Sequence, residues 1–447
     1  MKNVLPLGLL LSALSLGVGQ ELQPARSLTL QQAIDIALDR NIALKQAQNN
    51  VSRDQAGVTA AYGRFLPTVS LSAGWNGRSG ESFLPNGNAL PSNTTKGAST
   101  TLSGNVTLFD GFANTAGVTR ATSTASASEY TLNRTRQEII SETQKRFYDV
   151  LSAEKQLRIA DATLKADNQQ LEKVKETARL GSASLVNVYQ MQAKVGNDEA
   201  SLVQAQSAFD LAKSNLISYL SLDVFENYDI HDASIPEELD PAAMGVYRSS
   251  MQDLGALSQS AFARRPDYLS AKDALVATDA LVTVNRSGYF PTVSANASYG
   301  LTGSSTSGLN EFSDLTNNRS VNWSLSFSLP LFSGFQTNSN VEAAQVSQKN
   351  AELTLQDTER RIQTQLRNAI LQLEAAEKKS KAQVQNLQYQ SQNLKTIQEK
   401  FNVGSSTTIE LTIAQNDYNS ALINKTNAVF DYLKAKSQLE LALGTLQ

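Results

Sequence analysis

Residues 394–414 read LKTIQEKFNVGSSTTIELTIA, two helix-forming runs that meet at one glycine, Gly404. Proline is absent between Phe335 and Gly444, and Gly404 is the only glycine inside that stretch, so nothing breaks a helix there except at that point. Upstream, Leu366, Leu373, Ser380, Leu387, Leu394 and Phe401 stand seven apart; downstream, Ala414, Ala421, Ala428, Ala435 and Ala442 do the same. Seven is the repeat of supercoiled helices. An unbroken helix from Gln336 to Asn402 would run about 100 Å at roughly 1.5 Å per residue, longer than one compact domain needs. Residues 335–443 therefore predict a rod-like helical hairpin turning at Gly404.

The same text stands half a chain earlier, 223 to 224 positions upstream. Phe65-Leu66-Pro67-Thr68-Val69-Ser70 returns as Tyr289-Phe290-Pro291-Thr292-Val293-Ser294, and Leu108-Phe109-Asp110-Gly111-Phe112 as Leu331-Phe332-Ser333-Gly334-Phe335. The turn Gly181-Ser182 returns as Gly404-Ser405. The heptads transfer as well, through Val150, Leu157, Leu164, Leu171 and Ala178, then Val188, Val195, Leu202, Phe209 and Leu216. Landmarks at one common offset define an internal duplication. The first repeat is expected over 20–222, with opening helices at 27–39 and 42–63, strands at about 68–76 and 101–109 around a polar loop at about 77–98, and a hairpin at 112–222 turning at Gly181. A linker at 223–250 holds Pro236, Pro241 and the only histidine, His231. The second repeat follows over 251–447, with strands at about 292–301 and 321–329 around a loop at 302–320, and the hairpin at 335–443.

The strands alternate with period two. Val321, Trp323, Leu325, Phe327 and Leu329 interleave with Asn322, Ser324, Ser326 and Ser328. Val69, Leu71 and Trp75 interleave with Ser70, Ser72 and Asn76, while Val106 and Leu108, and Val293 and Tyr299, mark the apolar side of the other two strands. One apolar face and one small polar face make the wall of a barrel between lipid and water, so all these apolar residues are expected to face lipid. A soluble sandwich is the competing reading, but four strands in 447 residues make a poor one. Four strands cannot close into a barrel either, and an open edge in hydrocarbon leaves backbone groups unpaired at several kcal/mol each. Two copies would give eight strands, whose interior fills with side chains; three give twelve and leave a lumen. The expected fold is mainly α with a small β part, a homotrimer whose twelve-stranded β-barrel continues into a twelve-helix α-barrel. Alanine seams let its helices approach closely, while Ser, Thr, Asn and Gln meet water on both sides of a hollow wall.

Residues 1–19 carry one lysine, an apolar run and small residues before Gln20 and Glu21, the pattern of a secretory signal that is removed on export. No cysteine occurs, which excludes disulfides and lipid attachment through an N-terminal cysteine. No later run reaches the roughly 18 apolar residues of a spanning helix, so membrane contact is expected through strands. A net charge of -3 without arginine clusters leaves no footprint for nucleic acid. With no cysteine, one histidine, no phosphate-cradling glycine loop and no nucleophile elbow, neither an enzyme, a metal site nor a cofactor is expected. His231 reads as a loop residue, and Glu377, Lys378, Lys379 and Lys381 as a solvated helix face, like the other acid and base pairs at helical spacing.

The duplicated halves, Phe65-Leu66-Pro67 and Phe290-Pro291 ahead of the strands, Leu331-Phe332-Ser333-Gly334-Phe335 at the return to helix, and the turns Leu180-Gly181-Ser182 and Phe401-Asn402-Val403-Gly404-Ser405 together resemble the TolC family of outer-membrane efflux proteins. The resemblance covers the chain from about Ser27 onward. It implies a trimeric channel-tunnel of a tripartite efflux pump or type I secretion system, with its barrel in the outer membrane and its helical tube in the periplasm. It also implies docking onto a periplasmic adaptor and an inner-membrane transporter of the RND, ABC or MFS type. The docking tip would be Leu180, Gly181 and Ser182 with Val403, Gly404 and Ser405. The family's tip commonly carries acidic residues just after the second turn; here Glu410 matches one such position and Ile413 occupies the other, with Asn187 and Gln190 as first-repeat counterparts. Heptads run up to Phe401 and resume by Leu411, so the supercoil reaches the turns and would close a periplasmic gate at these four residues. The alternative, a periplasmic coiled-coil adaptor, requires one hairpin flanked by compact β domains.

Overall fold

Short capping signals set the first helices. Thr29 accepts the Gln32 N–H while the Gln32 side chain accepts the Thr29 N–H, a capping box that starts α1 (Leu30–Arg40). Asn41 ends α1, and its side chain accepts the N–H groups of Ala43 and Leu44 to start α2 (Ile42–Gly63). The structure, a computed structural model, describes residues 26–80, 93–181, 184–236, 238–240, 244, 253–305 and 318–446. The predicted signal segment 1–19, Ser182 and Pro241 lie outside the described residues, as do parts of both polar loops and of the linker. Ahead of α1 stands β1 (Arg26–Leu28). After α2 come β2 (Thr68–Gly80), β3 (Asn93–Phe109), α3 (Ala113–Arg179), α4 (Leu185–Tyr219), β4 (Tyr228–Ile230), α5 (Leu254–Arg264) and α6 (Pro266–Arg286). Then follow β5 (Thr292–Ser305), β6 (Arg319–Ser328), α7 (Gln336–Asn402) and α8 (Thr408–Leu443).

Helices α3 and α7 are both 67 residues long, roughly 100 Å each. Each begins after a Gly-Phe pair in left-handed backbone, Gly111 and Phe112 at φ 66° and 71°, Gly334 and Phe335 at φ 59° and 64°. Phenylalanine rarely adopts that conformation. Here each ring stands edge-on to an aromatic three residues back, Phe109 to Phe112 at 5.5 Å and Phe332 to Phe335 at 5.6 Å between centroids. The helices form a row α2, α3, α6, α7, with α4 folded back along α3 and α8 along α7, and α8 also lying against α3. Burial follows the heptads closely on α8, where Ala414, Ala421, Ala428, Ala435 and Ala442 are all buried. On α7 Leu366, Leu373 and Ser380 are buried, whereas Leu387, Leu394 and Phe401 are half-buried, so the packing within one chain opens toward the turn. The largest apolar cluster joins α1, α3, α4, β1 and β4 through Phe147, Val150, Leu216, Leu220 and Ile230.

All pairs in the four-stranded sheet β2-β3-β5-β6 are antiparallel, and β2 and β6 are its edges. The strands outrun the apolar alternation. The expected loop at 77–98 gives way to strand as far as Gly80 and again from Asn93, and β5 continues to Ser305. Backbone pairing needs no apolar side chain, and threonine is a good strand former, so Ser, Thr, Gly and Asn text that reads as loop extends the ladder. Residues 26–28 are strand rather than the start of the first helix, and 228–230 within the expected linker are strand as well. The two pair in parallel as Leu28↔Ile230, and Asp232 accepts the Leu30 N–H at 3.0 Å. The linker thus straps residues 26–30 to the segment that follows the first hairpin. Glu377 is also not a solvated residue. It lies on the face of α7 that carries Leu373, Ala376 and Ser380, is 3% exposed, and takes Lys381 Nζ at 2.7 Å.

Candidate functional site

The sheet presents two chemically opposite faces. Cross-strand partners share a face, so the row Leu71, Leu102, Tyr299, Val321 is continuous across all four strands. Parallel rows carry Val69, Gly104, Ala297 and Trp323, then Val106, Ala295 and Leu325, then Val293 and Phe327. Trp323 is 82% exposed, and every residue of β2 and β6 is exposed. The opposite face carries hydroxyls; Ser70 and Ser103 share a hydrogen bond at 2.8 Å, and Thr68 and Ser72 donate to the carbonyls of Asn105 and Thr101, both at 3.3 Å. Two of the expected lipid-facing residues leave the rows. A bulge between Thr107 and Phe109 drops Leu108 from the register and puts Phe109, missed by strict alternation, opposite Val293; Leu329 falls one residue past β6.

At the far end of the long helices both turns are left-handed glycines, Gly181 at φ 77° and Gly404 at φ 76°. Among the described residues, chain neighbours aside, nothing lies within 4 Å of where a Cβ would stand on either, and Leu180 and Val403 beside them are exposed. Glycine is there for backbone conformation, not for space. Ser405 N–H closes the second turn on the Lys400 carbonyl at 2.8 Å. Thr407 then caps α8 in a box with Glu410: Glu410 Oε2 accepts from Thr407 N at 2.8 Å and from the Ser406 hydroxyl at 2.7 Å, while Glu410 N donates to Thr407 Oγ1 at 3.2 Å. These bonds, that from Ser406 foremost, hold the Glu410 carboxyl below the usual carboxylate range. Ile413 stands exposed one turn on. In the first hairpin Ser184 caps α4, Asn187 is half-buried and Gln190 exposed. Among the described residues no hydrogen bond or ion pair joins Asn187 or Gln190 to Glu410 or Ile413.

The first hairpin also encloses a charge cluster that helical spacing disguised as surface pairing. Asp167 of α3 is 1% exposed and sits 2.7 Å from Lys194 Nζ of α4, which reaches Asp198 at 3.2 Å. Burial, and a hydrogen bond to Asp198 that only a protonated carboxyl can make, push Asp167 up to about 6 despite Lys194. The folded state therefore binds this proton more tightly than the unfolded chain, whose aspartate titrates near about 3.9. Asp167 thus favours folding most at low pH, and that contribution is lost as pH rises from about 4 through about 6. The thermal midpoint of Asp167→Asn relative to wild type is expected to be more favourable at pH 7.5 than at pH 4, measured by circular dichroism. A difference that does not vary with pH would mean that Asp167 does not titrate in this range in the folded chain.

A cavity of about 540 Å³ separates the two hairpins, lined among others by Arg158, Asp167, His231, Gln415 and Tyr418. Among the described residues no helix is long and apolar enough to cross a membrane, and no group of three or more His, Asp or Glu is gathered as a metal site.

A family model described as "Outer membrane efflux protein" matches residues 33–221 and 257–445. Outer membrane protein TolC of Escherichia coli K12 is 24% identical over 453 residues, covering 100% of this chain and 87% of that protein. Protein CyaE of Bordetella pertussis is 26% identical over 328 residues, 73% of this chain; the match spans 65% of CyaE's own length. A crystal structure of CusC superposes with a TM-score of 0.77 at 18% identity, over 93% of this chain and 92% of the other.

Proposed function

Since this chain belongs to the outer membrane efflux protein family, we propose that it is the passive outer-membrane channel-tunnel of a tripartite efflux pump or type I secretion system. It is a homotrimer, with its barrel in outer-membrane lipid, its helical tube in the periplasm, and residues 1–19 removed on export. The observation that carries this reading is the four-stranded sheet, apolar on one face, hydroxylic on the other and unpaired at both edges among the described residues, joined directly to two helices of 67 residues each. Three copies close such a sheet around water and extend it as a tube. The turns at Gly181 and Gly404 face a periplasmic adaptor and, through it, an inner-membrane transporter. A coiled-coil adaptor is the weaker reading, because two hairpins and a bare four-stranded sheet replace the single hairpin and compact β domains it needs.

The gate is assigned to Glu410, Ile413, Asn187 and Gln190. Three Glu410 side chains near the axis attract cations, an effect screened over about 8 Å at physiological salt. Glu410→Gln is a clean test because glutamine still serves the capping box while removing the charge. Purified protein in a planar bilayer is expected to show a low-conductance pore with mild cation preference, reduced in Glu410→Gln, and a higher conductance in Ile413→Gly. Protein that forms no pore overturns the channel; a pore already wide, with a preference indifferent to Glu410, overturns the gate alone.

A further inference from the structure

Two strand registers within the chain fix a third between copies. β2 pairs with β3 through Leu71↔Leu102, and β5 with β6 through Ala295↔Leu325. These are one pair repeated by the duplication, since Leu71 and Ala295 are 224 positions apart and Leu102 and Leu325 are 223 apart. The remaining pairing, β3 with β5, runs through Asn105↔Asn296 and Leu102↔Tyr299 and joins the outgoing strand of the first repeat to the incoming strand of the second. Its counterpart would join β6 to β2, and both are edges. Carried across by the same displacements, the register becomes Ser328↔Ser72 and Leu325↔Trp75. Parity supports it: Leu325 meets Trp75 and Phe327 meets Ala73 on the apolar face, while Ser328 meets Ser72 on the hydroxylic one. A slip of one residue would set every apolar side chain beside a polar row.

The loop between strand and long helix gives an independent sign. At Gly111 an added Cβ would stand 2.6 Å from Phe290 Cβ and 2.9 Å from the Ser287 carbonyl, and the Phe112 ring meets Phe290 edge-on at 6.5 Å. The outgoing elbow of the first repeat is thus seated on the incoming loop of the second. Gly334 has the same left-handed backbone, yet among the described residues, chain neighbours aside, nothing lies within 4 Å of its Cβ position. Leu331 and Phe332 in the same elbow are 90% and 77% exposed. The residues matching Phe290 and Ser287 are Leu66 and Gly63, and Leu66 is exposed too.

We propose, resting on the trimer reading above, that the 331–335 elbow of one copy seats on the 63–67 loop of the next copy, and that β6 and β2 join between copies in the register Ser328↔Ser72. The chain has no cysteine, so introduced pairs report without background. Ser328→Cys is combined in turn with Ser70→Cys, Ser72→Cys and Gly74→Cys in the full-length protein and oxidised. Disulfides demand Cβ atoms about 3.5 to 4.5 Å apart, so covalent dimers and trimers are expected to be strongest for the Ser72 pair. Leu66→Cys with Phe335→Cys, bridged by a short bis-maleimide, is expected to give the same ladder. Light scattering of the unlinked protein counts copies separately. Three-copy particles whose linkage peaks at Ser70 or Gly74, or whose Leu66 and Phe335 sites do not bridge, overturn this proposal and leave the trimer standing; single copies overturn both.

Discussion

Replacing Arg265 by methionine is expected to cost the fold about 3–5 kcal/mol, the range for removing one partner of a buried ion pair. Arg265 is 0% exposed and sits where α5 meets α6. Its guanidinium donates to both Asp267 oxygens at 2.9 and 2.6 Å, to Gln365 Oε1 of α7 at 2.8 Å and to the Ala442 carbonyl in the last turn of α8 at 3.1 Å. One planar fork therefore ties three helices and satisfies a helix-end carbonyl. Arg134 and Gln137 of α3 donate to the Leu441 and Gly444 carbonyls at 3.1 and 3.2 Å, so the same helix end is held from two sides. Even the chain at Gly444 is fitted to it, since a Cβ there would lie 3.1 Å from Arg265 Cγ. Burial by itself would raise the Asp267 carboxyl, but the hydrogen bonds and charge of Arg265, with the charge of Arg134, hold it below its ordinary value. That stabilisation is present above about pH 4 and lost as pH falls through the depressed value, so the deficit of Arg265→Met should shrink in acid. Arg265→Lys should fall between the two, because an ammonium cannot reproduce the fork. The measurement is denaturant unfolding by circular dichroism, and an unchanged midpoint for Arg265→Met would mean that the cluster is dispensable.

Nothing in the sequence marks Arg265 as more than a cation ahead of Pro266 with Asp267 nearby, because its partners on α7 and α8 lie 100 and 177 positions away. Asp167, Lys194 and Glu377 were hidden for the same reason: spacing along one helix shows which charges can pair, but only the second helix decides which face is buried. What periodicity does carry is the architecture. The prolines, the two turn glycines and the seven-residue repeats specify long helices, and the two-residue repeats specify a sheet with unlike faces. A single chain satisfies neither pattern completely, and the open edges of β2 and β6 and the half-buried Leu387, Leu394 and Phe401 are where that shows. Strand ends outrun the alternation because pairing continues through Ser, Thr and Gly, and the bulge at Leu108 is invisible to it because alternation counts residues, not hydrogen bonds.

Arginine at Leu325, midway along the apolar run from Val321 to Leu329, is expected to destabilise the proposed trimeric barrel by about 2–4 kcal/mol per copy, a cost that three copies would meet three times. The apolar side chains run from Val321 along β6 to Leu329 one residue past its end, roughly 27 Å at roughly 3.4 Å per residue and roughly 20 Å once tilted by about 40°, close to the band of about 25 Å that such barrels present to hydrocarbon. Arg319, opposite Leu301, ends that row with a charge, which places the band's edge there and the midplane near Leu325. A guanidinium at Leu325 cannot reach water along either face. At Ser324 or Ser326, opposite Asn296 and Ser294, it would point to the hydroxylic side and meet the lumen. Trimers of Leu325→Arg should therefore fall apart at a lower temperature on detergent gels than those of Ser326→Arg. Replacement of Arg319 by glutamine should change little, since cost on the lipid face falls toward zero at the interface. Equal losses for Leu325→Arg and Ser326→Arg would mean that the two faces meet the same medium, and the sheet would then be no wall between lipid and water.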